Sequence, residues 1–113
     1  MSEIERLSQI DEIEPLVEES HRRPVMIFKH SLTCPISATA YRELERYLAE
    51  RHDESAVHVL VEIQNARDVS AAIAERTGVR HESPQAIVLR DGEATWHASH
   101  GRIRRDALAA AMA

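Results

Sequence analysis

Between Val25 and Ile63 the hydrophobic pattern changes period twice, and these two changes restrict the fold more than any other feature of the chain. Val25 to Phe28 is a continuous apolar run, too short for a helix and rich in strand formers, so it reads as a buried central strand. From Pro35 the period becomes helical. Ile36, Ala40, Leu44, Tyr47 and Leu48 share one face, Arg42, Glu43, Glu45, Arg46 and Glu50 lie largely on the others, and the helix is predicted to run to about Arg51. His52 to Ser55 is then a loop. Ala56 to Ile63 alternates, with Val57, Val59, Val61 and Ile63 on one side and His58, Leu60 and Glu62 on the other. Strand, long helix and strand make a βαβ unit, in which the crossover returns the chain to the same end of the sheet and the two strands run parallel.

The flanking segments extend this unit. Ile10, Ile13, Leu16 and Val17 have helical spacing, with Asp11 as the expected cap, Pro15 near the first turn, and Pro24 ending the pattern after His21-Arg22-Arg23. Asp68 is the expected N-cap of a helix from Val69 to Arg76 that stops at Gly78. Ala86 to Arg90 and Glu93 to Ser99 read as strands joined by Asp91-Gly92, a strong two-residue hairpin signal. Ile103 to Met112 closes the chain as an alanine-rich helix. The predicted order is α, β, α, β, α, β, β, α. It corresponds to a single α/β domain over residues 1–113, with a central mixed four-stranded sheet and helices on both faces.

The totals limit what such a domain does. A net charge of -5 with thirteen scattered arginines offers no positive stripe for nucleic acid or an anionic membrane surface. No apolar run approaches the roughly 20 residues that span a bilayer, and Met1 to Arg6 does not resemble a signal peptide, so a cytoplasmic location is expected. One cysteine in 113 residues excludes an internal disulfide and a thiolate-rich metal site. Seven histidines add little, because His97 and His100 are three apart where a strand's period is two, and with His81 upstream no metal site is expected. Trp96 reads as a packing residue.

That cysteine, Cys34, falls where the first strand hands over to a helix. The thiolate is the nucleophilic form of cysteine, and the unpaired N–H groups and dipole of a helix N-terminus favour it. Pro35 suits the first helical position, since its φ is already fixed there and its missing N–H would have had no partner. Ser37 stands one turn further on, where its hydroxyl can point at the sulfur without forming a disulfide with it. The result is a C-x-x-S corner with a strand before it and a helix after it. Downstream, Ser83-Pro84-Gln85 directly precedes a strand, and the residues alone leave the isomer of the Ser83–Pro84 bond open.

Phe28-Lys29-His30-Ser31 leading to Thr33-Cys34-Pro35-Ile36-Ser37, followed by His81-Glu82-Ser83-Pro84-Gln85, resembles the YtxJ family of monothiol bacilliredoxins from about Leu7 to Leu108. The resemblance implies a thioredoxin-like fold, with Pro84 cis and lying beside Cys34. It further implies that Cys34 removes bacillithiol, a small thiol bearing carboxylates, from mixed disulfides on bacillithiolated proteins. Bacillithiol is then a co-substrate and no cofactor is bound. Dithiol thioredoxins, by comparison, carry a second cysteine where Ser37 stands and a buried aspartate where Phe28 stands.

Cys34 and Ser37 are therefore the expected catalytic residues, and Thr33, Pro35, Ser83, Pro84, His30 and Lys29 the expected substrate contacts. Thr33 either caps the helix or turns its hydroxyl to the substrate. Alternation sends Lys29 and His30 to opposite faces of their strand, and Arg80 and His81 have a similar claim as neighbours of Pro84. Two other functions use the same residues. One is a non-catalytic thioredoxin-fold adaptor in which Cys34 is a site of redox modification. The other is a cluster carrier, against which stand Pro35-Ile36 in the middle of the C-x-x-S motif and the absence of glutathione-binding motifs.

Overall fold

In the computed structural model, which describes residues 4–51 and 55–113, one twisted sheet carries all the helices. Its strands are β1 (Glu5–Arg6), β2 (Val25–His30), β3 (Val57–Glu62), β4 (Gln85–Arg90) and β5 (Glu93–Ser99), and its helices are α1 (Ile13–Glu19), α2 (Pro35–Glu50), α3 (Arg67–Thr77) and α4 (Arg105–Met112). The sheet order is β1-β3-β2-β4-β5, so the sheet has five strands rather than the four expected. The additional strand is a two-residue edge, Glu5 and Arg6 paired in parallel with Val59 and Leu60, and both of its residues are exposed. A pair that short has no period to read in a sequence. β2 and β3 are parallel, as the βαβ reading requires, and β4 pairs antiparallel with both β2 and β5.

Alternation along the strands divides the core into two layers. Val25, Ile27, Val59, Val61, Ile87 and Leu89 face α1 and α3, where they meet Ile13, Val17, Val69 and Ile73. Met26, Phe28, Leu60, Ala86 and Val88 face α2 and α4, against Ala40, Leu44, Leu48, Leu108 and Met112. β2 lies in the middle of the sheet, and Val25 to Lys29 are all buried. That burial lets the strand run two residues past Phe28, through Lys29 and His30, where two polar side chains had suggested that it stopped.

Several expected boundaries move for identifiable reasons. The first helical segment opens as a 3-10 turn at Ile10–Glu12. Glu12, not Asp11, satisfies its free donors by accepting the N–H groups of Ser8 and Gln9 at 3.0 and 2.9 Å. Asp68 lies inside α3 and, among the described residues, accepts only from its neighbour Val69, while Ala66 occupies the cap. Ile36 is on the outer side of α2 at 52% exposure, and Ser37 takes the buried place in the first turn. The final helix starts at Arg105, with Ile103 buried just ahead of it. Of the expected loop from His52 to Ser55, residues 52–54 lie outside the described residues.

The hairpin and stop signals behave as read. Asp91 and Gly92 both have positive φ, 54° and 82°, as a type I′ turn demands. The turn is anchored to the end of α1. Ser20 carbonyl accepts from Asp91 N–H and Ser20 Oγ accepts from Gly92 N–H, both at 2.8 Å. A Cβ at position 92 would stand 3.1 Å from Nε2 of the exposed His21 side chain, which is free to shift, so the need for glycine is conformational. Gly78 ends α3 in the left-handed conformation, φ 75°.

Candidate active site

The apolar run of β2 drives the chain through the centre of the sheet and delivers it at one end, where residues 31–34 turn into α2. Cys34 is the residue before the helix, in extended conformation, with Pro35 at the first helical position. Its carbonyl accepts from Ala38 N–H at 3.1 Å, which closes the first turn. Among the described residues no side chain caps the helix. Pro35 has no N–H to offer, so the amides of Ile36 and Ser37 are the ones available to negative charge developing on the sulfur. Cys34 is partly exposed and unpaired. Exposed Leu32 and Ile36 flank it, so the thiol is reachable within an apolar rim.

Ser37 has a different task from the one its spacing suggested. It is fully buried, and its Oγ accepts from Ser31 N–H at 2.9 Å and lies 2.8 Å from His30 Nδ1. Among the described residues it makes no hydrogen bond to Cys34. Burial pushes the pKa of His30 down, with Glu62 opposing. The His30 tautomer sets whether Ser37 Oγ or His30 Nδ1 donates in this contact. His30 also stacks on Tyr41 of α2, ring centroids 4.9 Å apart. Ser37 therefore locks the end of β2, the loop and the first turn of α2 together, holding the sulfur in place from behind.

A second lock, absent from the sequence reading, comes from Gln64. Its Oε1 accepts from Leu32 N–H at 3.0 Å, and its Nε2 donates to Ser31 Oγ at 3.0 Å and Thr33 Oγ1 at 3.3 Å. One side chain thus engages three consecutive residues leading to the thiol. Thr33 is held by this contact and does not cap the helix. A signal was present: the parallel pairing of His30 with Glu62 puts the residues after β3 beside those after β2. A polar residue two places beyond Glu62 then falls next to the 31–33 loop.

The start of β4 lies at the same end of the sheet. Ser83–Pro84 is a cis peptide bond, and Pro84 immediately precedes Gln85, which pairs with Lys29. Pro84 therefore lies at the end of the sheet from which the Cys34 loop leaves. Its carbonyl accepts from His100 N–H at 3.1 Å, tying the loop after β5 to the same place. Ser83 Oγ is buried with no partner among the described residues, as is Gln85 Oε1.

Lys29, expected to touch ligand, is instead buried. The protein's single lysine is fully buried on the α3 side of β2, where its ammonium donates to the Ser70 carbonyl at 3.1 Å and meets His81 Nδ1 at 3.2 Å. Burial in an apolar layer disfavours the charge and pushes its pKa down to about 8. Ser70 Oγ also meets His81, at 3.0 Å, so the cation, α3 and the segment before Pro84 form one cluster. Lys29 and His30 do point to opposite faces of the strand, as alternation requires.

The sequence matches the family described as Monothiol bacilliredoxin BrxC over residues 5–108. This chain belongs to the monothiol bacilliredoxin family. A solved structure described as a candidate oxidoreductase with a thioredoxin fold is 42% identical, with a TM-score of 0.83 over 96% of this chain and 92% of that one. The thioredoxins of Malassezia sympodialis (14% identity, TM-score 0.75, 99% and 90% coverage) and Fasciola hepatica (14%, 0.73, 96% and 95%) share the fold. The bacilliredoxin described here is thus a thioredoxin-fold protein of thiol–disulfide redox chemistry. Its central elements set one thiol at the N-terminus of α2 and the cis-proline at the start of β4, at the end of the sheet from which the Cys34 loop leaves.

Proposed function

We propose that this bacilliredoxin removes bacillithiol from bacillithiolated proteins by monothiol exchange at Cys34. The observation that supports this most is the thiol itself, which is accessible, set at an uncapped helix N-terminus, and the only one in the chain. In the first step the Cys34 thiolate attacks the bacillithiol sulfur of the mixed disulfide. The new bond is Cys34 Sγ to bacillithiol sulfur, the old disulfide breaks, and the protein thiolate leaves and takes a proton from water. In the second step the thiolate of a free bacillithiol attacks the same bacillithiol sulfur, Cys34 thiolate departs, and bacillithiol disulfide is released. Electrons balance at each exchange, so the bacilliredoxin needs no cofactor, and the released disulfide is reduced by another protein.

Within this scheme Ser37 acts by holding the loop, because its hydroxyl is occupied by His30 and Ser31. Thr33, Pro35, His30, Ser83 and Pro84 surround the path of the incoming disulfide, with the backbone of Ser83 positioned at a strand end to pair with an extended substrate segment. The partners are bacillithiolated proteins and bacillithiol in the cytoplasm, with no part for nucleic acid or membrane. Among the described residues no helix is long and apolar enough to cross a membrane. The test is to incubate a bacillithiolated protein with bacillithiol and either wild-type protein or Cys34→Ala. Wild type accelerates release and the variant does not. Release no faster than with bacillithiol alone would sink the proposal.

A further inference from the structure

Beside the thiol lies a groove of about 270 Å³ between the first half of α2 and the segment joining β5 to α4. Ile36, Thr39 and Glu43 form its α2 side, and His100, Ile103 and Arg104 the other side. Its lining is tied to the site at two points. Ile36 is two residues beyond Cys34 and half exposed, and His100 donates its N–H to the carbonyl of cis-Pro84.

The polar groups of the groove are unevenly committed. Glu43 is spoken for: it accepts the N–H of Arg105 at 2.7 Å and Arg46 Nη1 at 3.1 Å, which lowers its pKa and fixes its charge on α4 and α2. Thr39 Oγ1 is bonded to the Pro35 carbonyl and Arg42. His100 faces Glu82 only at 3.5 Å, with both side chains largely open. The Arg104 side chain is exposed and makes no ion pair or hydrogen bond among the described residues, its guanidinium acting on Glu43 only through its charge. The groove thus offers an apolar strip next to the sulfur, then an uncommitted cation further out.

We infer that this groove is the subsite for the carboxylate-bearing end of a low-molecular-weight thiol while its sulfur is bonded to Cys34, with Arg104 as the residue that selects for negative charge. The inference rests on the proposal that Cys34 takes up a small thiol, and it adds where the rest of that molecule lies. A thiol without carboxylates fills the apolar strip and leaves the cation unused. A carboxylated one meets both, and Arg is suited to a planar carboxylate.

The experiment measures formation of the Cys34 mixed disulfide from two symmetrical probes: bacillithiol disulfide, which carries carboxylates, and bis(2-hydroxyethyl) disulfide, which is uncharged. In each case the Cys34 thiolate displaces one half of the probe as a free thiolate, so the chemistry is the same. The readout is the ratio of the two rates. Arg104→Glu lowers that ratio by about tenfold, the scale of reversing one exposed charge opposite carboxylates, and Ile36→Glu lowers it as well. A ratio unchanged in both variants overturns the subsite while leaving the exchange reaction standing. Wild-type protein that forms no bacillithiol adduct overturns both.

Discussion

Removing the Lys29 ammonium should change how stability depends on pH. Lys29 is buried on the central strand, its nitrogen held by one carbonyl and one imidazole, with no carboxylate partner among the described residues. An exposed lysine in the unfolded chain titrates near 10.5, and in the fold Lys29 titrates near 8. At about pH 7 both states carry the proton, so the native state holds an unfavourable buried charge. As pH rises through about 8 the native state releases that proton while the unfolded chain keeps its own until about 10.5. The unfolded state then binds more protons, and stability rises with pH in this window. At about 1.4 kcal/mol per pH unit, the rise is about 3 kcal/mol. Lys29→Met keeps the length of the side chain and removes the titration. Urea unfolding of both proteins, under reducing conditions from about pH 7 to 10.5, gives the difference directly, since groups that titrate alike in both cancel. The variant is the more stable at about pH 7, and wild type gains on it by about 3 kcal/mol as pH rises to 10.5. A difference that stays flat across this range would refute the assignment of a protonated buried lysine.

Two further substitutions test the supports of the fold and site. Ser37→Ala removes the acceptor of Ser31 N–H and the partner of His30. It should lower stability by about 1 to 3 kcal/mol and slow alkylation of Cys34 by loosening the loop, both measurable on the same sample. A variant of unchanged stability would mean the buried hydroxyl does not hold the turn. Ser20→Ala takes away the bond that ties the Asp91-Gly92 turn to α1 and should cost about 1 kcal/mol in urea unfolding, with Cys34 reactivity unchanged because the turn lies at the other end of β4.

Hydrophobic periodicity made most of the architecture legible. Val25 to Phe28, the face of α2 from Ala40 to Leu48, and the alternation of Val57 to Ile63 each fix a local conformation and a buried side, and together they dictate parallel pairing of β2 with β3. Gly78 and Asp91-Gly92 were readable because positive φ strongly selects those residue types. Glu5–Arg6 was not, since two exposed residues in an edge strand owe their conformation wholly to β3. Lys29 was misplaced for a related reason. Its charge suggests solvent, but a residue of the central strand is buried by its neighbours whatever its own preference, and its partners Ser70 and His81 are 41 and 52 residues away.

What the sequence determined alone is the chemistry. With one cysteine, a proline after it and a serine where a resolving thiol would stand, any exchange must be intermolecular, whatever surrounds Cys34. What only tertiary structure decided is how that thiol is held and what lies beside it. Gln64 grips residues 31–33, Ser37 turns its hydroxyl inward to His30 rather than to the sulfur, and His100 joins cis-Pro84 to the groove at Arg104. Local pattern sets the period and buried face of each element. Contacts among residues far apart in the chain depend on strand order and on where each strand ends, which follow only when all the elements pack at once.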